Sequence, residues 1–317
     1  MSETMDELRI LTGLLTADSA ADRAAACARL GMLAQTSEDE VRALIAPPLL
    51  ERAEVEDDDE VTAELAWALS CTRDPRGLPV LLGLVGHPDA DVRQAVTESF
   101  AQSDTETADA PEVRALLTLA RDAEPRVRRW AVFALGSQLP AYSPEIRAVL
   151  HECLGDEDPE VAEEAVLGLA HRHDSAVLPQ LNDLLIEAAE AAAHGRTRPD
   201  SLTLEAAAVL GHPELLPALA EFDPADPGVA EAVAACDPAR REQLAADAWQ
   251  LVEALHQRRP DLDATLCSER FTPDVHLRLP GAPDQPVYSV VHLMRRAAAD
   301  PAAAVDLVDA DLPAARS

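Results

Sequence analysis

The chain contains no lysine. All 26 of its basic residues are arginine, set against 58 acidic residues in 317, for a formal charge of −32. Two origins fit that balance. A GC-rich genome replaces Lys by Arg and enriches Asp and Glu without functional meaning; alternatively the negative field is functional, repelling nucleic acid and drawing basic partners. Under either origin a nucleic acid is disfavoured as a ligand. Aromatic residues make up only 3% of the chain while the wider hydrophobic set reaches 48%. The interior must then be built from Ala, Leu and Val, which suits closely stacked helices and excludes a β-sandwich. Cysteine is also sparse: Cys27, Cys71, Cys153, Cys236 and Cys267 are odd in number and never spaced C-x-x-C. Neither a disulfide framework nor a structural zinc site is expected, and these residues read as small apolar fillers. No run approaches 18 apolar residues, and the first seven residues lack an apolar leader, so a soluble, cytoplasmic protein without membrane contact is expected. G-x-S-x-G, Walker, G-x-G-x-x-G and H-E-x-x-H signatures are missing as well. No catalytic residue, cofactor or metal is therefore expected.

What the chain does have is a repeated phrase: an acidic turn, a Val, then small or apolar residues four, seven and eight places on. The Val positions are Val61, Val92, Val127 and Val161, spaced by 31, 35 and 34 residues, the range of helix-pair repeats. Leu65, Val96, Ala131 and Ala165 follow at +4, and Leu69, Phe100, Leu135 and Leu169 at +8, so each helix has one apolar face to bury. Three residues before each Val stands Asp58, Asp89, Glu124 or Asp158, suited to cap the helix and to its dipole. Pro125 and Pro159 then occupy the first helical position, where no amide is missed. Ser19 to Gly31 superimposes on Glu124 to Gly136 with Asp22 in place of the Val, so a first, atypical repeat starts near residue 5. The partner helix of each pair is marked by Leu78-Pro79, Leu178-Pro179 and Leu216-Pro217, each followed by apolar residues at helical spacing.

The stretch 187–198 exceeds the repeat length and ends in His194-Gly195-Arg196-Thr197-Arg198. From about Asp237 the repeat fades. Residues 242–258 still read as helix, 271–288 as an irregular Pro-rich loop or short hairpin around Pro280-Gly281, and 287–299 as a last helix. The expected organisation is a solenoid over 1–236, a helical cap with a Pro-rich loop over 237–305, and a disordered tail over 306–317.

The phrases Asp-Pro-Glu-Val-Ala-Glu-Glu-Ala-Val-Leu-Gly-Leu (158–169) and Glu-Pro-Arg-Val-Arg-Arg-Trp-Ala-Val-Phe-Ala-Leu-Gly (124–136) resemble HEAT repeats of the bacterial HEAT-like subgroup. The resemblance spans about residues 5–235 and is clearest over 55–172. It implies an all-α, right-handed solenoid of about six or seven helical pairs whose second helices line a concave face. It also implies a ladder of Arg residues after the Val; Arg23, Arg93 and Arg128 fit, and Thr62 and Ala162 interrupt it. The subgroup includes scaffolds, chromophore lyases and immunity-like proteins, so the resemblance speaks to fold and hardly to function.

Candidate contact residues stand six places after each Val: Trp67, Glu98, Phe133 and Leu167, with Trp130 beside them. At 100° per residue they lie about 240° from the Val direction, off the core face. They either line a partner groove or pack sideways on the next repeat. The turns bring Asp57, Asp58, Asp59, Asp89, Asp91, Glu124, Asp156 and Asp158 to equivalent places, as helix caps or as an acidic ridge for a basic partner. Arg114, Arg121, Arg126, Arg128 and Arg129 form a local basic spot, expected to pair with Asp122 and Glu124. His151, Glu152, Cys153, His171 and His173 are the densest metal-type residues, but helix rise puts His151 and His171 roughly 15 Å apart, too far for one ion. The function expected is a non-enzymatic scaffold or adaptor for another protein. The alternatives are an acidic, immunity-like inhibitor of a basic partner and a HEAT-like lyase or accessory for a protein-bound cofactor.

Overall fold

The computed structural model describes residues 2–103, 105, 107–193, 201–268, 275–282, 287–297 and 300–312. These residues form two compact units, Met1–Gly168 and Leu169–Ser317. The first holds α1 (Ser2–Leu14), α2 (Ala20–Thr36), α3 (Asp39–Ala53), α4 (Asp59–Thr72), α5 (Gly77–Leu84), α6 (Ala90–Ala101), α7 (Pro111–Leu119), α8 (Pro125–Phe133), α9 (Pro144–Cys153) and most of α10 (Pro159–Ala170). Odd and even helices alternate as first and second members of five pairs. The second helices α2, α4, α6 and α8 pack side by side in chain order, which is how an α-solenoid stacks.

The physical reason is the apolar column. Val61, Val92, Val127 and Val161 are fully buried, and so are the residues four and eight places after the first three of them. In the first pair, where Asp22 replaces the Val, Ala26 and Leu30 still carry the buried face. Helix starts follow the capping chemistry of the turns. Ser19 accepts from the Asp22 amide, Asp58 from that of Val61, and Asp89 from those of Asp91 and Val92. Glu124 makes no side-chain cap; Pro125 alone starts α8. Past Phe133 that helix widens into a π-helical turn, Ala134–Gln138, which carries buried Leu135 and Gly136. Small residues let neighbouring second helices touch. A side chain added at Gly168 would lie 2.6 Å from the Gly136 Cα, so the two backbones meet directly.

The second unit contains two further pairs, α11 (Leu178–Ala193) with α12 (Ser201–Leu210) and α13 (Leu216–Leu219) with α14 (Pro227–Cys236). Residues 187–193 of the expected insertion prolong α11, while 194–198 lie outside the described residues. The 236/237 change of architecture falls inside this unit. Asp237 caps α15 (Pro238–Arg258), which packs with a three-stranded antiparallel sheet, β1 (Thr265–Ser268), β2 (Val275–Arg278) and β3 (Val287–Ser289), and with α16 (Val290–Arg296) and α17 (Pro301–Asp311). The strands run in chain order, with Leu277 opposite Leu266 on one side and Tyr288 on the other. Leu251, Leu255, Leu277, Leu279, Val290, Leu293, Val305 and Val308 close a core of their own.

Two expectations are corrected here. β2 and β3 pair antiparallel, as the hairpin expected around Pro280-Gly281 would, but β1 adds a third strand outside the expected 271–288 segment, and β3 takes 287–289 from the expected last helix. Residues 306–311 are the end of α17 rather than a disordered tail; 313–317 lie outside the described residues. The reason is that α17 is capped by Asp300, buries Ala304, Val305 and Val308, and sets Asp306 and Asp309 against Arg258 and Arg259.

Candidate partner-binding face and arginine ladder

The arginines that follow the Val column act in a fixed way at three places. Arg23 forks onto Glu56 (Nε to Oε2 2.9 Å, Nη2 to Oε1 2.8 Å), and its Nη1 donates to the carbonyls of Ala17 and Asp18. Arg93 forks onto Asp122 at 2.7 and 2.8 Å and donates to the His87 and Pro88 carbonyls. Arg128 forks onto Asp156 at 2.8 and 2.7 Å and donates to the Asp122 and Ala123 carbonyls. In each rung the arginine ties its own turn, through two carbonyls, to the turn of the next repeat, through a carboxylate. Such bidentate, charge-assisted contacts are the strong ones. The acids stand five residues before the Val of the following repeat, a position no single-helix pattern picks out.

The carboxylates respond. Burial pushes Glu56 up, but hydrogen bonds from Arg23, the Asp58 amide and Arg52 outweigh it and hold the group down at about 2. Arg128 and the Asp158 amide hold Asp156 below its ordinary value. Because an unfolded carboxyl of this type titrates near 4.5, the contribution of Glu56 is complete above that pH and lost as pH falls toward 2. Acid unfolding of Glu56→Gln should therefore lack part of the wild-type loss between about pH 4.5 and 2; identical acid profiles would show that the rung is not linked to stability.

The ridge is mostly absorbed into this framework. Asp58, Asp89 and Asp158 cap α4, α6 and α10. Asp156 holds Arg128, and Asp91 pairs with Arg126. Asp57, Asp59 and Glu124 have no arginine partner among the described residues; Asp59 lies 3.8 Å from His87 Nε2. Four of the five arginines of the basic spot are neutralised by other acids than expected, Arg128 by Asp156, Arg126 by Asp91, Arg129 by Glu160 and Glu164, and Arg121 by Glu152, while Arg114 donates to the Asp109 carbonyl. Asp122 lends Arg128 only its carbonyl, because its carboxylate is already forked by Arg93.

The exposed stripe of the second helices carries the other candidates. Trp67 is half-buried, and its ring lies against Gly31, where an added Cβ would come within 2.3 Å of the ring carbon Cζ3. Trp130 and Phe133 are half-buried against each other, edge to face, with centroids 5.6 Å apart. Leu167 is 2% exposed and does not reach the surface. Glu98 is half-buried and accepts from the Gln94 amide at 2.8 Å.

Glu98 has company that the sequence did not single out. Burial, then the nearby carboxylates of Glu60 and Glu98, raise Glu64 above its ordinary value. No arginine lies within ion-pair distance of Glu60, Glu64 or Glu98 among the described residues, whereas the charges on α8 are matched. The face over α4 and α6 is therefore a patch of crowded, uncompensated carboxylates beside Trp67. The period would have found Glu64 as the residue three after Val61 and one turn before Trp67.

Of the metal-type residues, Glu152 is paired with Arg121, Cys153 is buried and pushed up to about 11 by burial, and burial lowers His171 to about 4. Among the described residues no three His, Cys, Asp or Glu side chains converge on a point. All five cysteines are free, and burial lifts Cys27 to about 12. Among the described residues no helix is long and apolar enough to cross a membrane.

The sequence profile described as HEAT repeats matches residues 6–101, 46–118 and 113–197. Among solved structures, YibA of E. coli is similar at 23% identity and TM-score 0.53, over 73% of this chain and 81% of that one. A designed armadillo repeat protein in complex with peptide (KR)4 is similar at 18% identity and TM-score 0.40, over 72% and 97%. Kap121p bound to Pho4p is similar at 16% and 0.45, over 78% and 31%. No curated protein matches.

Proposed function

The chain belongs to the HEAT-repeat family, and from that premise we propose that it is a non-enzymatic scaffold whose second-helix face takes up a protein partner bearing basic side chains. The observation that carries this reading is the carboxylate patch of Glu60, Glu64 and Glu98 beside Trp67. A fold does not need like charges crowded together at its surface, and burial first, then the carboxylates of Glu60 and Glu98, raise the proton affinity of Glu64. A cation docked there would relieve that cost, and Trp67 offers a flat apolar face next to it. The α8 stripe, whose charges are matched internally, offers no such gain.

The carboxylates make the cleaner test, because Trp67 also supports Gly31. Glu64→Gln with Glu98→Gln removes two charges at nearly constant volume. A partner recovered by crosslinking to the wild-type chain is expected to bind this variant about tenfold more weakly at about 50 mM salt, and the wild type should weaken as salt rises to about 500 mM. Affinities unchanged by both manipulations would remove the patch as the basis of recognition. An inhibitor that covers the phosphate-binding surface of a cationic protein would use the same carboxylates; loss of the partner's own activity on binding would identify that variant of the scheme.

A further inference from the structure

Between Arg23 and Arg128 the ladder has one irregular step; the other interruption, Ala162, lies beyond its last rung. Between α4 and α6 the residue after the Val is Thr62, and the residue five before the next Val is His87 in place of an acid. Both halves of the rung differ together. His87 keeps the turn-closing task of the acid, since its Nδ1 accepts the Asp89 amide at 3.2 Å as Asp156 accepts that of Asp158. The space that an arginine takes at the other rungs is here a cavity of about 110 Å³, lined by Ala53, Glu56, Asp57, Asp59, Thr62, Leu65, Val80, Leu84 and His87. At about 30 Å³ per water it has room for roughly three or four waters, the bulk of a guanidinium with its adjoining methylene.

We infer that this cavity receives an arginine side chain from the partner protein, completing in trans the rung that the chain does not complete itself. Three intramolecular copies display the chemistry of such a site. In each, one guanidinium nitrogen rests on the carbonyls six and five residues before the arginine position, and the fork rests on carboxylate. At Thr62 the equivalent carbonyls are those of Glu56 and Asp57, and both residues line the cavity. Asp57 and Asp59 line it as well, and neither carboxylate has an arginine partner among the described residues; Asp59 lies 3.8 Å from His87 Nε2. Leu65, Val80 and Leu84 supply the apolar wall along which an arginine stem lies. A larger cleft of about 450 Å³, lined by Pro47, Leu50, Glu51, Ala53, Glu54, Arg76 and Val80, shares Ala53 and Val80 with the cavity and gives the flanking chain a path. Arg76 does not oppose a cation there, because it is already forked by Asp74 at 2.9 and 2.7 Å. Lysine fits less well, as one ammonium cannot meet two carbonyls and a carboxylate in one plane.

The inference deepens the reading of a basic partner and rests on it only for the source of the arginine. The probe is a capped Gly/Ser peptide carrying one arginine, titrated into the full chain and followed by calorimetry, with lysine and citrulline peptides as controls. Saturable binding is expected for arginine, at least about fivefold weaker binding for lysine, and none for citrulline. Thr62→Arg, which fills the cavity from within, should lower the arginine affinity at least about tenfold, and His87→Asp should raise it. If Thr62→Arg disturbs folding, Asp57→Asn with Asp59→Asn should give the same loss. Equal binding of arginine and lysine, or undiminished binding to Thr62→Arg, overturns the inference. Glu64→Gln with Glu98→Gln should leave the probe affinity unchanged, so failure at the carboxylate patch and failure at the cavity are read separately. Binding of free guanidinium as tightly as of the peptide would show a small-ion site and equally overturn a partner's arginine as the occupant.

Discussion

Arg128→Ala is expected to lower the free energy of unfolding by on the order of 3 kcal/mol, measured by urea denaturation. Arg128 is only 8% exposed, and its side chain holds four acceptors at once: both oxygens of Asp156 and the carbonyls of Asp122 and Ala123. Truncation leaves the Asp156 carboxylate inside the structure with its charge unmatched, and that penalty dominates. Two controls separate this mechanism from lost packing. Arg128→Met with Asp156→Leu removes both charges and should cost less than Arg128→Ala alone. The same truncation at Arg126, paired with Asp91 at the surface, should cost under about 1 kcal/mol and shrink with salt. Because the rung joins consecutive repeats, Arg128→Ala should also broaden or split the transition, since a repeat array is cooperative only while its interfaces hold. A double variant costing more than the single would assign the effect to volume rather than charge.

Gly168→Ala is expected to cost about 3 kcal/mol, near the upper end for overpacking. The added methyl would sit 2.6 Å from the Gly136 Cα and 3.4 Å from its carbonyl carbon. Backbone cannot swing aside as a side chain can, so the two helices must separate and lose contacts along their length. Gly31→Ala meets an aromatic ring instead of backbone, and the Trp67 side chain can adjust, so its cost should be smaller. Gly155→Ala, whose nearest neighbour is 3.9 Å away, should be tolerated. Thermal unfolding of the three variants gives the order; a Gly168→Ala protein as stable as Gly155→Ala would contradict the backbone contact.

The solenoid was legible because its signal is local and periodic. Val61, Val92 and Val127, with their partners at four and eight places, report their burial within one helix each, and the capping aspartates mark where each helix begins. The C-terminal sheet was illegible for the converse reason. β1, β2 and β3 are three or four residues long, too short to display alternation, and they are defined by partners such as Leu266 and Leu277 rather than by their own pattern. Residues 306–311, the end of α17, look like tail because Asp306 and Asp309 resemble solvated acids, yet both face arginines about fifty residues earlier. The candidate site divides in the same way. The period placed Trp67 and Glu98 off the core face, but a helix in a stack has two neighbours, and Trp67 leans on the preceding one through Gly31. Likewise Asp122 and Asp156 each serve an arginine in an earlier repeat, a relation that one helix cannot disclose and that only counting five back from each Val would have revealed.

The step at Thr62 and His87 also bears on how the first unit deforms. Joints closed by an arginine fork resist both sliding and twisting, because the planar contact fixes direction as well as distance. The α4–α6 joint has no arginine fork among the described residues; there the Ser99 hydroxyl donates to the Ala66 carbonyl at 3.2 Å and His87 Nε2 lies 3.8 Å from Asp59. A row of stiff links with one softer link does not flex evenly. Bending is expected to collect where the restoring force is least, which would make the acidic face of α4 and α6 the surface whose curvature changes most; amides of α6 exchanging no faster than those of α8 would contradict it.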